Sequence, residues 1–234
     1  MNFPKYRSEY TIRENECDAD YNIRLAALWD IMQDCADNHA SILGFNHETM
    51  RTSGNFFALI RMDVHVKKYP KAREKIIVET YPVGVHKLFC VRKYDVFDEA
   101  GEKIAEGISL WIIVDIKTNR PLRPQSAYPE MEIFNYNYGG EIPSKLNAIN
   151  EGKEIKRIVA EFCDIDGNAH VNNSRYINWL ENAIRLKYSP IYHLTVNYIT
   201  ETKLSEQLTI RQNNNIYTFA DDKNNIRFIA EIKE

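Results

Sequence analysis

The densest run of side chains able to do chemistry is Asp164-Ile165-Asp166-Gly167-Asn168-Ala169-His170-Val171-Asn172-Asn173-Ser174. It packs two carboxylates, three amides and an imidazole between a strand-like segment and an amphipathic helix. The first turn of a helix presents unpaired backbone N–H groups and a partial positive charge. Such an end can hold the oxyanion of an acyl transfer. Asn168 and His170 lie just ahead of it, placed to donate hydrogen bonds to a carbonyl oxygen. Helix capping selects Asp, Asn and Ser at this point in any case, but capping does not require an imidazole within a run of amides.

Other chemistries lack their residues. Cys17, Cys35, Cys90 and Cys163 stand apart, with no C-x-x-C and no zinc-finger spacing of Cys and His. No H-E-x-x-H occurs, so no metal or other cofactor is implied. Cys163 has no base at matched spacing and reads as a buried structural thiol.

Two helices and two sets of strands must position this segment. Leu25, Leu28, Trp29, Met32, Ala36 and His39 recur at helical spacing, with Asn22 as a cap and Gly44 as a stop. Strands follow: Ile60, Met62, Val64 and Val66 alternate with polar residues, then come 75–83, 88–97 and 103–115. One helix and then a run of strands argues an α+β unit with an antiparallel sheet. Residues 121–150 carry Pro121, Pro124, Pro129, Pro143 and Gly139-Gly140 and read as a linker. The pattern then restarts: a strand over 155–162, the polar loop, a helix from Asn173 to Tyr188, and strands over 193–200, 207–212, 216–220 and 226–232. Each helix carries a tryptophan, Trp29 or Trp179, and follows an Asp-x-Asp, Asp18-Ala19-Asp20 or Asp164-Ile165-Asp166. The expected division is 1–120, a linker over 121–150, and 151–234.

Composition agrees with a soluble globular chain. The 234 residues are 44% apolar and 27% charged, with a net charge of −3. This excludes a polycation that coats nucleic acid, and no apolar run approaches the ~18–20 residues of a membrane helix. Met1 to Thr11 has no apolar signal core, and a cytoplasmic protein with reduced thiols is expected.

The polar segment resembles the signature of the acyl-acyl carrier protein thioesterases, D-x-D-x-N-x-H-V-N-N-x-x-Y-x-x-W. It is met here by Asp164, Asp166, Asn168, His170, Val171, Asn172, Asn173, Tyr176 and Trp179. Asn38-His39-Ala40, Arg61-Met62 and Tyr69-Pro70 resemble other parts of the same family, and the likeness runs from about Tyr10 to Ile210. The resemblance implies a tandem (double) hot-dog, each half a long helix wrapped by an antiparallel sheet. It also implies hydrolysis of fatty acyl thioesters on acyl carrier protein, and catalytic roles for Asp166, Asn168, His170 and Glu201. Plant members have a cysteine directly after that glutamate; here it is Thr202, so a cysteine nucleophile at that position is not available.

The mechanism that fits has Glu201 as general base for water. His170 and the first N–H groups of the second helix stabilise the oxyanion, and Asn168 positions water or carbonyl. Asp166 holds Asn168 and His170 and fixes the imidazole tautomer. The acyl tail is expected in the first half near Trp29, Met32 and Phe57, since that half lacks the amide and imidazole. Residues 61–75 sum to +4, and Lys67, Lys68, Lys71 and Arg73 are the expected docking residues for an acidic carrier. An acyl-CoA thioesterase, a hot-dog dehydratase and a non-catalytic acyl-binding module remain as alternatives. Monomer and homodimer are both open.

Overall fold

The computed structural model describes residues 4–149, 151–184 and 190–233. The first helix, α1 (Leu25–Ile42), buries its apolar stripe, including Leu25, Leu28, Trp29, Met32, Cys35, Ala36 and His39. It stops at Leu43, where Gly44 adopts φ +89°, a left-handed turn that a residue without Cβ reaches at no steric cost. Its start departs from expectation. Asn22 is too far upstream to cap; its backbone bridges to Lys71, and the capping position is Arg24, with no side-chain bond. The cap comes from α4 (Asn173–Ile184) instead. There the Glu181 carboxylate accepts the N–H of Leu25 at 2.9 Å and of Ala26 at 3.1 Å. The expected extension of this second helix to Tyr188 lies outside the described residues.

Eleven described strands make one antiparallel sheet. In chain order they are β1 (Tyr6–Thr11), β2 (Asn55–Val66), β3 (Lys75–His86), β4 (Phe89–Asp98), β5 (Lys103–Asp115), β6 (Arg120–Leu122), β7 (Lys153–Val159), β8 (His193–Tyr198), β9 (Gln207–Asn213), β10 (Ile216–Asp221) and β11 (Ile226–Lys233). The spatial order is β1-β3-β4-β5-β2-β8-β11-β10-β9-β7, with β6 beside β5. The two halves therefore meet at β2 and β8 and share one sheet. A bulge in β2 between Leu59 and Arg61 shifts its inward parity, so Leu59 rather than Ile60 turns inward ahead of Met62, Val64 and Val66.

An internal pseudo-twofold axis passes through the β2–β8 pair. Asp63 lies opposite Thr195, flanked by Arg61 opposite Asn197 and His65 opposite His193. The Thr195 hydroxyl donates to Asp63, and His193 Nε2 sits 3.0 Å from the same carboxylate. The chain crosses between halves near this axis. Asn197 accepts the Leu146 N–H at 2.8 Å and donates to the Ser144 carbonyl at 3.0 Å.

Residues 121–149 are more ordered than their sequence suggests. Tyr128, Ile133 and Phe134, with α3 (Pro124–Ala127), join Met50 of α2 (His47–Ser53) and Phe45 in a small apolar cluster. Three buried apolar residues spaced five and one apart match neither a helix nor a strand period, which hid them from pattern reading. The main core spans both halves, joining Trp29 and Met32 to Tyr176, Ile177, Leu180, Phe219 and Phe228.

Candidate active site

The polar loop is a closed turn built on Asp166. Its Oδ1 accepts the backbone N–H of Asn168 at 2.8 Å and of His170 at 3.4 Å, while Asp166 N–H donates to the His170 carbonyl at 2.8 Å. Ala169 takes φ +63° to complete the turn. Asn168 is exposed, with its amide 3.4 Å from Asp166 Oδ2. The carboxylate thus fixes the backbone of the loop and the Asn168 side chain. It makes no hydrogen bond to the imidazole, so the expectation that Asp166 sets the ring tautomer is corrected: the N–H groups of its own turn aim the carboxylate at the loop backbone, and the ring meets another partner.

The ring meets Glu201. His170 Nε2 is 3.0 Å from Glu201 Oε2, and the two side chains are 28% and 52% exposed, so the pair is open to water on one side. The two segments are held together by the Val171 N–H, which donates to the Thr202 carbonyl at 2.9 Å. Thr202 itself is fully buried beside Tyr176. Burial pushes the Tyr176 hydroxyl up to about 12 and keeps it protonated.

At the start of α4, Asn172 Oδ1 accepts the Ser174 N–H at 2.9 Å, and the Arg175 N–H reaches the Asn172 carbonyl at 3.0 Å. These two donors are spent on the cap. The Asn173 N–H meets no acceptor among the described residues, and it alone of the three is free for an oxyanion. Asp164 is buried and structural, bonded to the Glu161 N–H at 2.9 Å with Arg175 Nε at 3.4 Å. Cys163 is exposed rather than buried, because the chain leaves β7 in a short 3-10 turn, Phe162–Asp164, that turns its side chain outward.

The first half repeats this hydrogen-bond pattern without its chemistry. Asp18 Oδ1 accepts the N–H of Asp20 at 2.9 Å and of Asn22 at 3.0 Å, Tyr21 takes φ +64°, and the Ile23 N–H donates to the Pro70 carbonyl at 2.9 Å. Asn22 therefore stands where His170 stands, and Tyr69 where Glu201 stands. Lys67 and Lys68 line the cleft at this first loop with Asp18, Asn22, Tyr69, Pro190 and Tyr192. Lys71 bridges to Asn22, and Arg73 pairs with Glu14 at 2.6 Å. The structure thus gathers the four basic residues beside the first loop and does not bring them to His170 and Glu201. Lys68 is also paired, with Asp98 at 3.1 Å.

Trp29 and Met32 are fully buried in the main core, which also contains Val171, the residue after His170. Phe57 is separated from them and packs in the small cluster with Phe45, 5.4 Å between rings. Two residues with evident roles carried no sequence signal. Glu181 caps a helix distant in sequence, and Arg227 is an isolated strand arginine that bonds the Glu201 carbonyl. No cluster of three or more His, Cys, Asp or Glu able to hold a metal occurs among the described residues. Likewise no helix among them is long and apolar enough to cross a membrane.

Comparison with known proteins bears on this site. The family profile of the acyl-ACP thioesterase N-terminal domain matches residues 4–130, and that of the C-terminal domain matches residues 147–233. A chloroplastic palmitoyl-acyl carrier protein thioesterase of Gossypium hirsutum is 26% identical over 189 residues, 75% of this chain and 46% of the relative. The chloroplastic oleoyl-acyl carrier protein thioesterase 2 of Arabidopsis thaliana is 23% identical over 214 residues, 82% of this chain and 57% of the relative. The chain spans about half the length of the curated relatives it matches. Among solved structures, an acyl-ACP thioesterase from Bacteroides thetaiotaomicron superposes with a TM-score of 0.84 at 22% identity, covering 97% of this chain and 96% of that one. The 12:0-ACP thioesterase of Umbellularia californica gives 0.84 at 22% identity, covering 98% and 96%. The tandem hot-dog expected from the sequence is the fold these structures share.

Proposed function

The chain belongs to the acyl-ACP thioesterase family, and from that premise we propose that it hydrolyses fatty acyl thioesters carried on acyl carrier protein, releasing free fatty acid and the carrier thiol. The observation that carries this reading is the 3.0 Å approach of His170 Nε2 to Glu201 Oε2 at the mouth of a helix-start loop. Glu201 gives one carboxylate oxygen to the ring and keeps the other for water. It takes the proton as water attacks the thioester carbonyl. Asn173 N–H and Asn168 supply donors for the oxyanion, and the thiolate leaves without a covalent intermediate. Asp166 acts through the backbone, keeping Asn168 and His170 in register. The acyl tail runs into the first half beside Met32 and Trp29, with which Val171 shares a core. The carrier docks on the basic segment through Lys67 and Lys71, exposed lysines that form no ion pair among the described residues. The enzyme works in the cytoplasm, as a monomer or a homodimer.

The test is hydrolysis of a panel of carrier-protein and CoA thioesters by the wild type, Glu201→Gln and His170→Ala. General-base loss lowers kcat by ~10²–10⁴-fold, with the fold unchanged by circular dichroism. Near-normal turnover by Glu201→Gln overturns the assignment. A preference for CoA over carrier moves the substrate class to acyl-CoA.

A further inference from the structure

The internal symmetry isolates one residue that the catalytic half has and the other lacks. In the first half the carbonyl of Ile104 accepts the N–H of Lys67 and Lys68, at 2.7 and 3.2 Å. In the second half the carbonyl of Arg227 accepts the N–H of Ile199 and Thr200, at 2.9 and 3.3 Å. Ile104 and Arg227 are thus equivalent positions, each at the start of the strand that backs the site segment. Ile104 is a buried apolar side chain behind Tyr69. Arg227 has a side chain only 14% exposed, behind Glu201.

Both terminal nitrogens of the guanidinium are engaged. Nη1 donates to the Glu201 backbone carbonyl at 2.8 Å, while Nη2 lies 3.0 Å from Asp221 Oδ2 and 3.3 Å from Glu206 Oε2. Arg227 Nε is buried with no acceptor. A desolvated arginine replaced by isoleucine in the twin half is not needed for the fold of the unit, since the same backbone bonds form around Ile104. Such a side chain costs desolvation that an apolar residue avoids. What Arg227 adds is a rigid, planar tether on the peptide unit of Glu201.

We propose that Arg227 is a positioning residue for hydrolysis, clamped by Asp221 and Glu206 so that its guanidinium fixes the Glu201 main chain and aims the carboxylate at His170. This rests on the reading of Glu201 as general base. Glu201 is a long side chain in an exposed turn between β8 and β9, with its carboxylate half in solvent. Fixing its backbone removes two of the rotational freedoms that would otherwise let it swing from the 3.0 Å contact.

The test uses the whole chain with Arg227→Ile, which copies the first half, and Arg227→Lys, which keeps the charge but cannot span Glu201, Asp221 and Glu206 together. Both are measured beside Glu201→Gln, with thermal melts to establish folding. The expected result is a fall in kcat of roughly 10–100-fold in Arg227→Ile and a smaller fall in Arg227→Lys, with KM within about twofold. Unchanged kcat in folded Arg227→Ile, or a loss that falls on KM instead, overturns the proposal while Glu201→Gln stays inactive. If Arg227→Ile does not fold, wild-type kcat in Arg227→Lys overturns it instead. Activity in Glu201→Gln removes the general-base reading, and the positioning role falls with it.

Discussion

Tyr69 and Glu201 occupy equivalent places in the two halves, each directly before the residue, Pro70 or Thr202, whose carbonyl receives the N–H that closes its loop. The backbone is duplicated and the chemistry is not. Burial holds the Tyr69 hydroxyl protonated far above its ordinary range, and it donates to the Ile191 carbonyl. Turnover is therefore expected from one loop alone. Asn22→Ala and Tyr69→Phe should keep kcat and KM within about twofold, while Tyr69→Phe loses about 1 kcal/mol of stability with its hydrogen bond. Hydrolysis assays and urea melts on the two variants check this. A tenfold activity loss in either folded variant would give the first loop a part in the reaction.

Glu181 links the two halves by supplying the cap that α1 lacks. Arg24 has no side-chain acceptor to offer the first turn, and the Glu181 carboxylate takes two N–H groups at 2.9 and 3.1 Å. Its charge also lies at the positive end of the helix. Glu181→Ala should cost about 1–2 kcal/mol, read as a lower midpoint in urea with an unchanged slope. A midpoint equal to wild type would show that water caps α1 equally well.

These cases mark what the sequence could and could not show. Helix and strand periods were legible because burial imposes them residue by residue, as in Leu28, Trp29 and Met32 or Met62, Val64 and Val66. The second loop was legible because its chemistry needs unusual types in a short run. The Asp166 bracket hides in the same letters, since a local turn and a contact to the ring use the same carboxylate. Glu181, Arg227 and the β2 bulge were invisible because each depends on a partner more than twenty residues away or on a local slip in register. The two Asp-x-Asp runs are not equivalent: Asp18, first of its pair, brackets its loop as Asp166, second of its pair, does, and Glu16 stands where Asp164 stands.

His39 makes stability depend on pH. It is 2% exposed, with Arg92 Nη1 3.1 Å from Nδ1, and burial together with that cation lowers it from 6.5 to about 4. The unfolded chain binds a proton below about pH 6.5 that the folded ring refuses until about 4. The contribution of neutral His39 is therefore full above 6.5 and is lost as pH falls from 6.5 toward 4. Against His39→Gln, which does not titrate but can still accept from Arg92, the wild type should lose about 1–3 kcal/mol across that window. Parallel curves from urea melts at pH 7, 6, 5 and 4 would contradict it.

Docking through the basic segment makes an electrostatic prediction. Lys68 and Arg73 are already paired with Asp98 and Glu14, which leaves Lys67 and Lys71 to meet an acidic carrier. Reversing both charges, Lys67→Glu with Lys71→Glu, should raise KM for a carrier-bound substrate several-fold and flatten its dependence on salt, with kcat unchanged. A wild-type KM insensitive to salt, or a reversal without effect, would move the docking face away from the first loop.

The two apolar clusters separate the residues proposed to meet the acyl tail. Met32 packs against Gly107 of β5, so closely that a Cβ at Gly107 would lie 2.7 Å from its Cε. It belongs to the same buried core as Val171, next to His170, and the proposed tail route runs from the loop into that core. Phe57 sits in the other cluster among Phe45 and Tyr128. Met32→Ala should open space along the route and shift the preferred acyl chain toward greater length, at a cost of about 2–5 kcal/mol in stability. Phe57→Ala should weaken packing without reordering chain-length preference. Gly107→Ala should act opposite to Met32→Ala, pressing Met32 into the route and favouring shorter chains. Relative kcat/KM across a ladder of thioesters measures all three. A length preference that follows Phe57 and ignores Met32 would place the tail in the small cluster instead.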